Sequence, residues 1–128
     1  MTGNMSFKQS EWVKVKKVKG KGRGVFARKF IPKGTVIEKV PVLVMPADDI
    51  YDTFIADYVF EWGKGTVALA LGYGSLYNHS FKANCRYEDT GKMSKSYIAE
   101  RDIEDGEEVT INYNGSPKDK TKVGFSVK

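Results

Sequence analysis

The apolar residues of this chain come in short runs, most of them closed by glycine or proline, and that punctuation argues for strands over helices. Trp12 to Val18 alternates apolar residues with lysines, the pattern of a half-buried strand. Gly20, Gly22 and Gly24 make a loop that feeds Val25–Phe30, and Ile31-Pro32-Lys33-Gly34 reads as a turn. Thr35 to Met45, rich in Val and Ile, predicts one bent strand or two broken at Pro41. Asp48 is placed as a helix N-cap, because Ile50, Tyr51, Phe54, Ile55 and Tyr58 follow at helical spacing. Tyr58 to Trp62 is expected to be extended already, and Thr66 to Leu71 is apolar enough for core in either state. Cys85–Glu88 and Ser96–Glu100 flank Asp89-Thr90-Gly91-Lys92 as a hairpin, and Asp105-Gly106 turns ahead of Glu108–Tyr113. With no repeat and no linker, the expectation is one mainly β domain.

Composition narrows what such a domain does. The 128 residues are 41% hydrophobic, enough for a core and too many for wholesale disorder. A single cysteine, Cys85, excludes an intrachain disulfide and a cysteine-based zinc site, and a single histidine, His79, excludes a two-histidine metal centre; no metal is expected. No apolar run reaches the ~18–20 residues that cross a bilayer, and the N-terminus lacks the apolar core of a secretory signal, so the expectation is a soluble cytoplasmic domain without a membrane partner. The formal charge of +5 is unevenly spread: residues 1–40 carry a net +9 and residues 41–128 a net −4, with Asp48, Asp49, Asp52, Asp57 and Glu61 in a stretch without Lys or Arg. Lys14, Lys16, Lys17, Lys19 and Lys21 are able to contact phosphate, but no aromatic is interleaved with them to stack on bases, so the solvated face of a strand is the preferred reading and direct nucleic-acid binding the disfavoured one.

Three segments carry chemistry. Gly20-Lys21-Gly22-Arg23-Gly24 lets the backbone approach a ligand and offers free N–H groups. It fits the dinucleotide pattern G-x-G-x-x-A loosely, but Pro32 and Gly34 leave no room for the helix that pattern needs. Tyr77-Asn78-His79-Ser80-Phe81-Lys82-Ala83-Asn84-Cys85-Arg86-Tyr87 gathers the histidine, the cysteine, two asparagines and two tyrosines. The asparagines suit either recognition of a polar ligand or bracing of a loop. His79 is read as a structural residue before a general base, and a Cys85–His79 nucleophile pair lacks an assignable orienting partner. Gly106-Glu107-Glu108-Val109-Thr110-Ile111-Asn112-Tyr113-Asn114 alternates as a strand ending in a tyrosine.

In order, G-x-G, N-H-S-x-x-x-N and G-E-E-x-T-x-x-Y resemble the motifs of the SET-domain family of protein-lysine methyltransferases, over Trp12 to Asn114. The likeness is closest to small stand-alone viral and bacterial SET proteins, which lack flanking zinc segments. The resemblance implies a β-clip-like arrangement of short sheets with one or two short helices, in which the N-H-S and G-E-E segments form a C-terminal pseudoknot. It divides the chain into an N-terminal extension (1–11), a SET domain (12–114) and a short tail without zinc ligands (115–128).

It also implies S-adenosyl-L-methionine as cofactor, contacted by Lys21, Gly22, Arg23, Gly24, Asn78 and His79, the last through its main chain. Tyr113 becomes the catalytic tyrosine, and Tyr58, Tyr87 and Tyr113 line the substrate-lysine channel. Phe125, the only large aromatic of the tail, is assigned to stack on the cofactor or cap the channel. Ala83 stands where the family usually has proline. The implied partner is a lysine-bearing protein, a histone tail or a bacterial DNA-binding protein among the options, and a homodimer that completes the site is compatible with the pattern. The competing functions are a SET-like peptide-binding module without turnover and a small basic nucleic-acid-binding β domain.

Overall fold

The computed structural model describes residues 7–20, 22–91 and 93–113. Among these residues nine strands follow in order: β1 (Val13–Val18), β2 (Gly22–Ala27), β3 (Val36–Pro46), β4 (Val59–Glu61), β5 (Thr66–Ala70), β6 (Asn78–His79), β7 (Cys85–Thr90), β8 (Ser94–Ala99) and β9 (Glu108–Ile111). They form a four-stranded sheet, β1-β2-β9-β6, and a five-stranded sheet, β4-β5-β3-β8-β7. Val13, Val25, Ala27, Val109 and Ile111 from the first sheet and Ile37, Ala68, Tyr97 and Ala99 from the second are buried in one core.

The alternating lysines behave as a strand face. Val13 is fully buried while Lys14, Lys16, Lys17 and Lys19 are exposed, and β1 is an edge of its sheet among the described residues. β2 begins at Gly22, earlier than the predicted Val25, because the hairpin with β1 pairs Val18 with Gly22. It ends at Ala27, short of the predicted Phe30, which lies exposed, and the chain turns inward to bury Ile31 against Ile103.

β3 is one strand through Pro41. Its first half pairs with β8 and its second half with β5, and Pro41 stands where the partner changes, so its missing N–H interrupts neither ladder internally. The expected helix after Asp48 is replaced by two 3-10 turns, Ala47–Asp49 and Phe54–Tyr58, and the residue before the first is Pro46, without a side-chain cap. The physical reason is burial. Tyr51 (67% exposed) and Phe54 (80%) have no core to pack on, and a short amphipathic helix without one is not stable in water. Among the described residues there is no α-helix, and none long and apolar enough to cross a membrane.

Candidate active site

β9 is the meeting place of the three chemical segments. It pairs antiparallel with β2 through Val25–Val109 and parallel with β6 through Asn78–Thr110 and His79–Ile111, bringing the G-x-G, N-H-S and G-E-E segments side by side. Asn78 locks them: its Nδ2 donates to the Arg23 carbonyl at 3.0 Å and to Glu108 Oε2 at 2.7 Å. Gly24 is required by this closeness, since a Cβ there would lie 2.7 Å from Glu108 Oε2 and 3.0 Å from Asn78 Nδ2. Asn84 braces the same strand. Its Nδ2 donates to the Glu108 carbonyl at 2.8 Å and to Glu107 Oε2 at 3.1 Å, and its Oδ1 accepts from Thr110 N–H at 2.9 Å. Of the two roles open to Asn84, loop bracing is the one its contacts fill.

His79 acts on Tyr113 directly. Its Nδ1 accepts the Tyr113 backbone N–H at 2.9 Å, which places the imidazole proton on Nε2, and burial pulls its pKa below the usual histidine value. The side chain thus serves the tyrosine rather than a nucleophile. Cys85 is buried, its Sγ lies 3.4 Å from the Arg86 carbonyl, and burial pushes its thiol pKa far up. A Cys–His nucleophile pair is not built here.

Tyr113 follows β9 and is half-buried. Its hydroxyl donates to the Tyr77 carbonyl at 2.7 Å, and its own carbonyl accepts from the Tyr87 hydroxyl at 3.3 Å. Burial pushes the Tyr113 pKa up to about 12, with Tyr58, Tyr87 and Glu108 adding to the rise. Tyr87 is likewise pushed up to about 12, chiefly by burial. Tyr58, at the end of the second 3-10 turn, is 38% exposed, and its ring lies 5.4 Å from that of Phe54.

Tyr77 is held from behind. Its ring stacks on Tyr97 at 4.4 Å between centroids, and its hydroxyl donates to Glu38 Oε1 at 2.7 Å. Glu38 also accepts Tyr73 N–H at 3.0 Å, and burial raises its pKa despite these two donors. Lys21 and Phe125, assigned to the cofactor from the motif pattern, lie outside the described residues. Three contributors escaped the sequence reading: Tyr77, which holds the Tyr113 hydroxyl, Glu108, which holds Asn78, and Glu38 behind them. Tyr77 and Glu108 stand inside the quoted motifs, whereas nothing local marks Glu38, whose partners are 35 and 39 residues away.

Comparison with known proteins agrees with this geometry. The SET-domain family profile matches residues 22–114. A Schizosaccharomyces pombe protein named as a histone-lysine N-methyltransferase specific for H3 lysine-37 is 34% identical over 106 residues, covering 79% of this chain and 72% of the relative. The set9 histone-lysine N-methyltransferase of Aspergillus terreus is 32% identical over 95 residues, which are 70% of this chain and 15% of that much longer protein. The crystal structure of a Plasmodium falciparum protein described as a putative histone methyltransferase superposes with a TM-score of 0.72 at 30% identity, over 85% of this chain and 96% of that one. Three motifs joined through β9, a family match over most of the chain and a shared fold make this chain a member of the SET-domain family.

Proposed function

We propose that the chain is an S-adenosylmethionine-dependent protein-lysine N-methyltransferase. The observation that carries this reading is the contact of the Tyr87 hydroxyl with the Tyr113 carbonyl at the end of β9, the strand that joins the G-x-G and N-H-S segments. The donor set suits the cofactor. Gly22 is exposed at the start of β2 with φ +78°, a backbone conformation that suits glycine at a close approach. Asn78 commits its Nδ2 to Arg23 and Glu108 and keeps Oδ1 as an acceptor fit for an ammonium. His79 Nε2 is a buried donor without a partner among the described residues. Gly22, Arg23, Gly24, Asn78 and His79 are the residues proposed to hold the cofactor, with Lys21 and Phe125 added from the motif pattern alone. When bound, S-adenosylmethionine supplies an electrophilic methyl group on a sulfonium.

The chain's own task is alignment and desolvation. A lysine attacks only when neutral, and its unperturbed pKa is about 10.4. The tyrosine faces attract the ammonium on entry, and the half-buried channel disfavours its charge once inside. Tyr113 keeps its proton at neutral pH, since its pKa lies about 12, and its hydroxyl is tethered to the Tyr77 carbonyl. It therefore orients the amine through its oxygen lone pairs rather than removing a proton. Asp48, Asp49, Asp52, Asp57 and Glu61, all exposed, lie along the segment leading to and from Tyr58 and complement a basic peptide around the target lysine.

The test is incubation with labelled S-adenosylmethionine and lysine-rich candidate proteins, histones included, read by mass spectrometry. Label is expected on lysine with the native chain and lost with Tyr113→Phe. Cofactor binding without transfer to any candidate would favour a peptide-binding module. No heat of cofactor binding, with DNA affinity falling steeply with salt, would favour the nucleic-acid reading.

A further inference from the structure

Lys95, on β8, is 1% exposed and carries its ammonium into a cluster of rings. Its Nζ lies 4.3 Å from the Phe60 ring centroid, 4.4 Å from Tyr87 and 5.5 Å from Trp62, and it is anchored to Asp89 Oδ1 at 2.6 Å. Phe60 and Tyr87 belong to β4 and β7, the two opposite edges of the five-stranded sheet, yet their rings meet edge to face at 5.0 Å. The sheet therefore curls until its edges touch, and Lys95 sits at the seam. Each edge carries one wall of the lysine channel. Tyr58 immediately precedes β4, two residues from Phe60, and Tyr87 is in β7 itself with its hydroxyl on the Tyr113 carbonyl. A buried amine is costly unless paired, and here one carboxylate and three ring faces offset that cost.

We propose that Lys95 is a positioning residue that pins the two sheet edges together and so sets the width of the substrate-lysine channel between Tyr58 and Tyr87. The proposal rests on the lysine-methyltransferase reading of that channel. Without the pin, the Phe60–Tyr87 seam loosens, Tyr87 loses its hold beside Tyr113, and the channel admits a bulkier amine.

The experiment compares Lys95→Met, which keeps length and loses charge, with Lys95→Arg, which keeps a cation, and with Asp89→Asn, which leaves Lys95 in place but weakens its anchor. Steady-state kinetics on a peptide substrate gives KM and kcat separately, and mass spectrometry gives the ratio of mono- to di- and trimethylated product. Lys95→Met is expected to raise KM for the peptide roughly tenfold, the weight of a desolvated cation–π contact, and to shift product toward higher methylation. Asp89→Asn moves the same way by less, and Lys95→Arg stays within about twofold of the native chain. A merely structural lysine would lower the amount of active protein without changing KM or the product ratio. Lys95→Met with native KM and product ratio would overturn the proposal, as would an Arg variant no better than Met. Should Lys95→Met fail to fold, Asp89→Asn decides by the same two readouts.

A second readout separates this idea from the reading it rests on. With ¹³C-labelled tyrosine, the Tyr87 ring signals are expected to shift and broaden in Asp89→Asn or Lys95→Met. If the native chain transfers no methyl group, the methyltransferase reading fails while the ring signals still report the pin; if it transfers and the signals stay unchanged, only the pin fails.

Discussion

Asn84→Ala is the substitution whose cost is best worked from the contacts. Asn84 is 2% exposed and makes three hydrogen bonds to consecutive parts of one segment: the Glu107 carboxylate, the Glu108 carbonyl and the Thr110 N–H. Alanine removes all three. The Glu107 carboxylate is partly exposed and also bonded to Arg101, so water and Arg101 satisfy it afterwards. The Glu108 carbonyl and Thr110 N–H flank fully buried Val109, where water has poor access, and each orphaned group costs ~1–3 kcal/mol. Two such groups give about 3 kcal/mol, a large share of the ~5–15 kcal/mol that holds a domain together. For a chain of this size the melting temperature falls by roughly 10 °C. Urea unfolding followed by circular dichroism measures it: with m near ~2 kcal/mol per molar, the midpoint drops by about 1.5 M. Asn84→Asp is the control. It keeps the acceptor for Thr110 but places a carboxylate against Glu107, so it should lose more at neutral pH than in acid. An Asn84→Ala cost below about 1 kcal/mol would refute the reasoning, because backbone groups so easily rehydrated are not held by this side chain.

Other substitutions test separate joints of the site. Gly24→Ala forces apart Glu108 and Asn78, and overpacking plus one loosened charge-assisted bond should cost ~1–3 kcal/mol and weaken S-adenosylmethionine binding in calorimetry; native affinity would mean that β2 has no part in the cofactor site. Tyr113→Phe orphans the Tyr77 carbonyl and should cost ~1 kcal/mol in melting while abolishing methyl transfer, so a stable but active variant would sink its assigned role. Glu38 supplies a pH signature: burial raises its folded pKa, so the folded chain retains a proton that the unfolded chain has released, and this contribution is present below the ordinary carboxylate pKa and lost as pH rises through the raised value. Glu38→Gln should flatten that fall when unfolding midpoints are compared across mildly acidic pH; parallel profiles for variant and native chain would remove Glu38 from the explanation.

How much of this was legible beforehand differs by element. The lysine-alternating strand and the Cys85–Ala99 hairpin follow from period-two patterning and turn chemistry, which act locally. The segment 47–58 misled because spacing at 3.6 records only that a face exists, and Tyr51 and Phe54 find nothing to bury it against. Pro41 was ambiguous for a related reason: whether it breaks β3 depends on which neighbour it faces. For the site, periodicity and charge singled out the three segments but assigned neither cofactor nor channel; those expectations came from the order of motifs. The parallel β6–β9 pair lay beyond local rules because it joins residues 32 apart, and the Lys95 seam because it needs a curl no single strand encodes.

The pairing of β2 with β9 sets a timetable for synthesis. The G-x-G strand emerges early, yet its partner Val109 is made 84 residues later, and Asn78 waits for Glu108 as well. At ~5–20 residues per second that interval is roughly 4–17 s, during which one side of β2 has no neighbour. Its other side is covered at once by the β1 hairpin, whose lysines repel a second nascent chain. A product terminated before Val109 therefore lacks the strand that brings the three segments together, and it leaves one edge of β2 open to another chain.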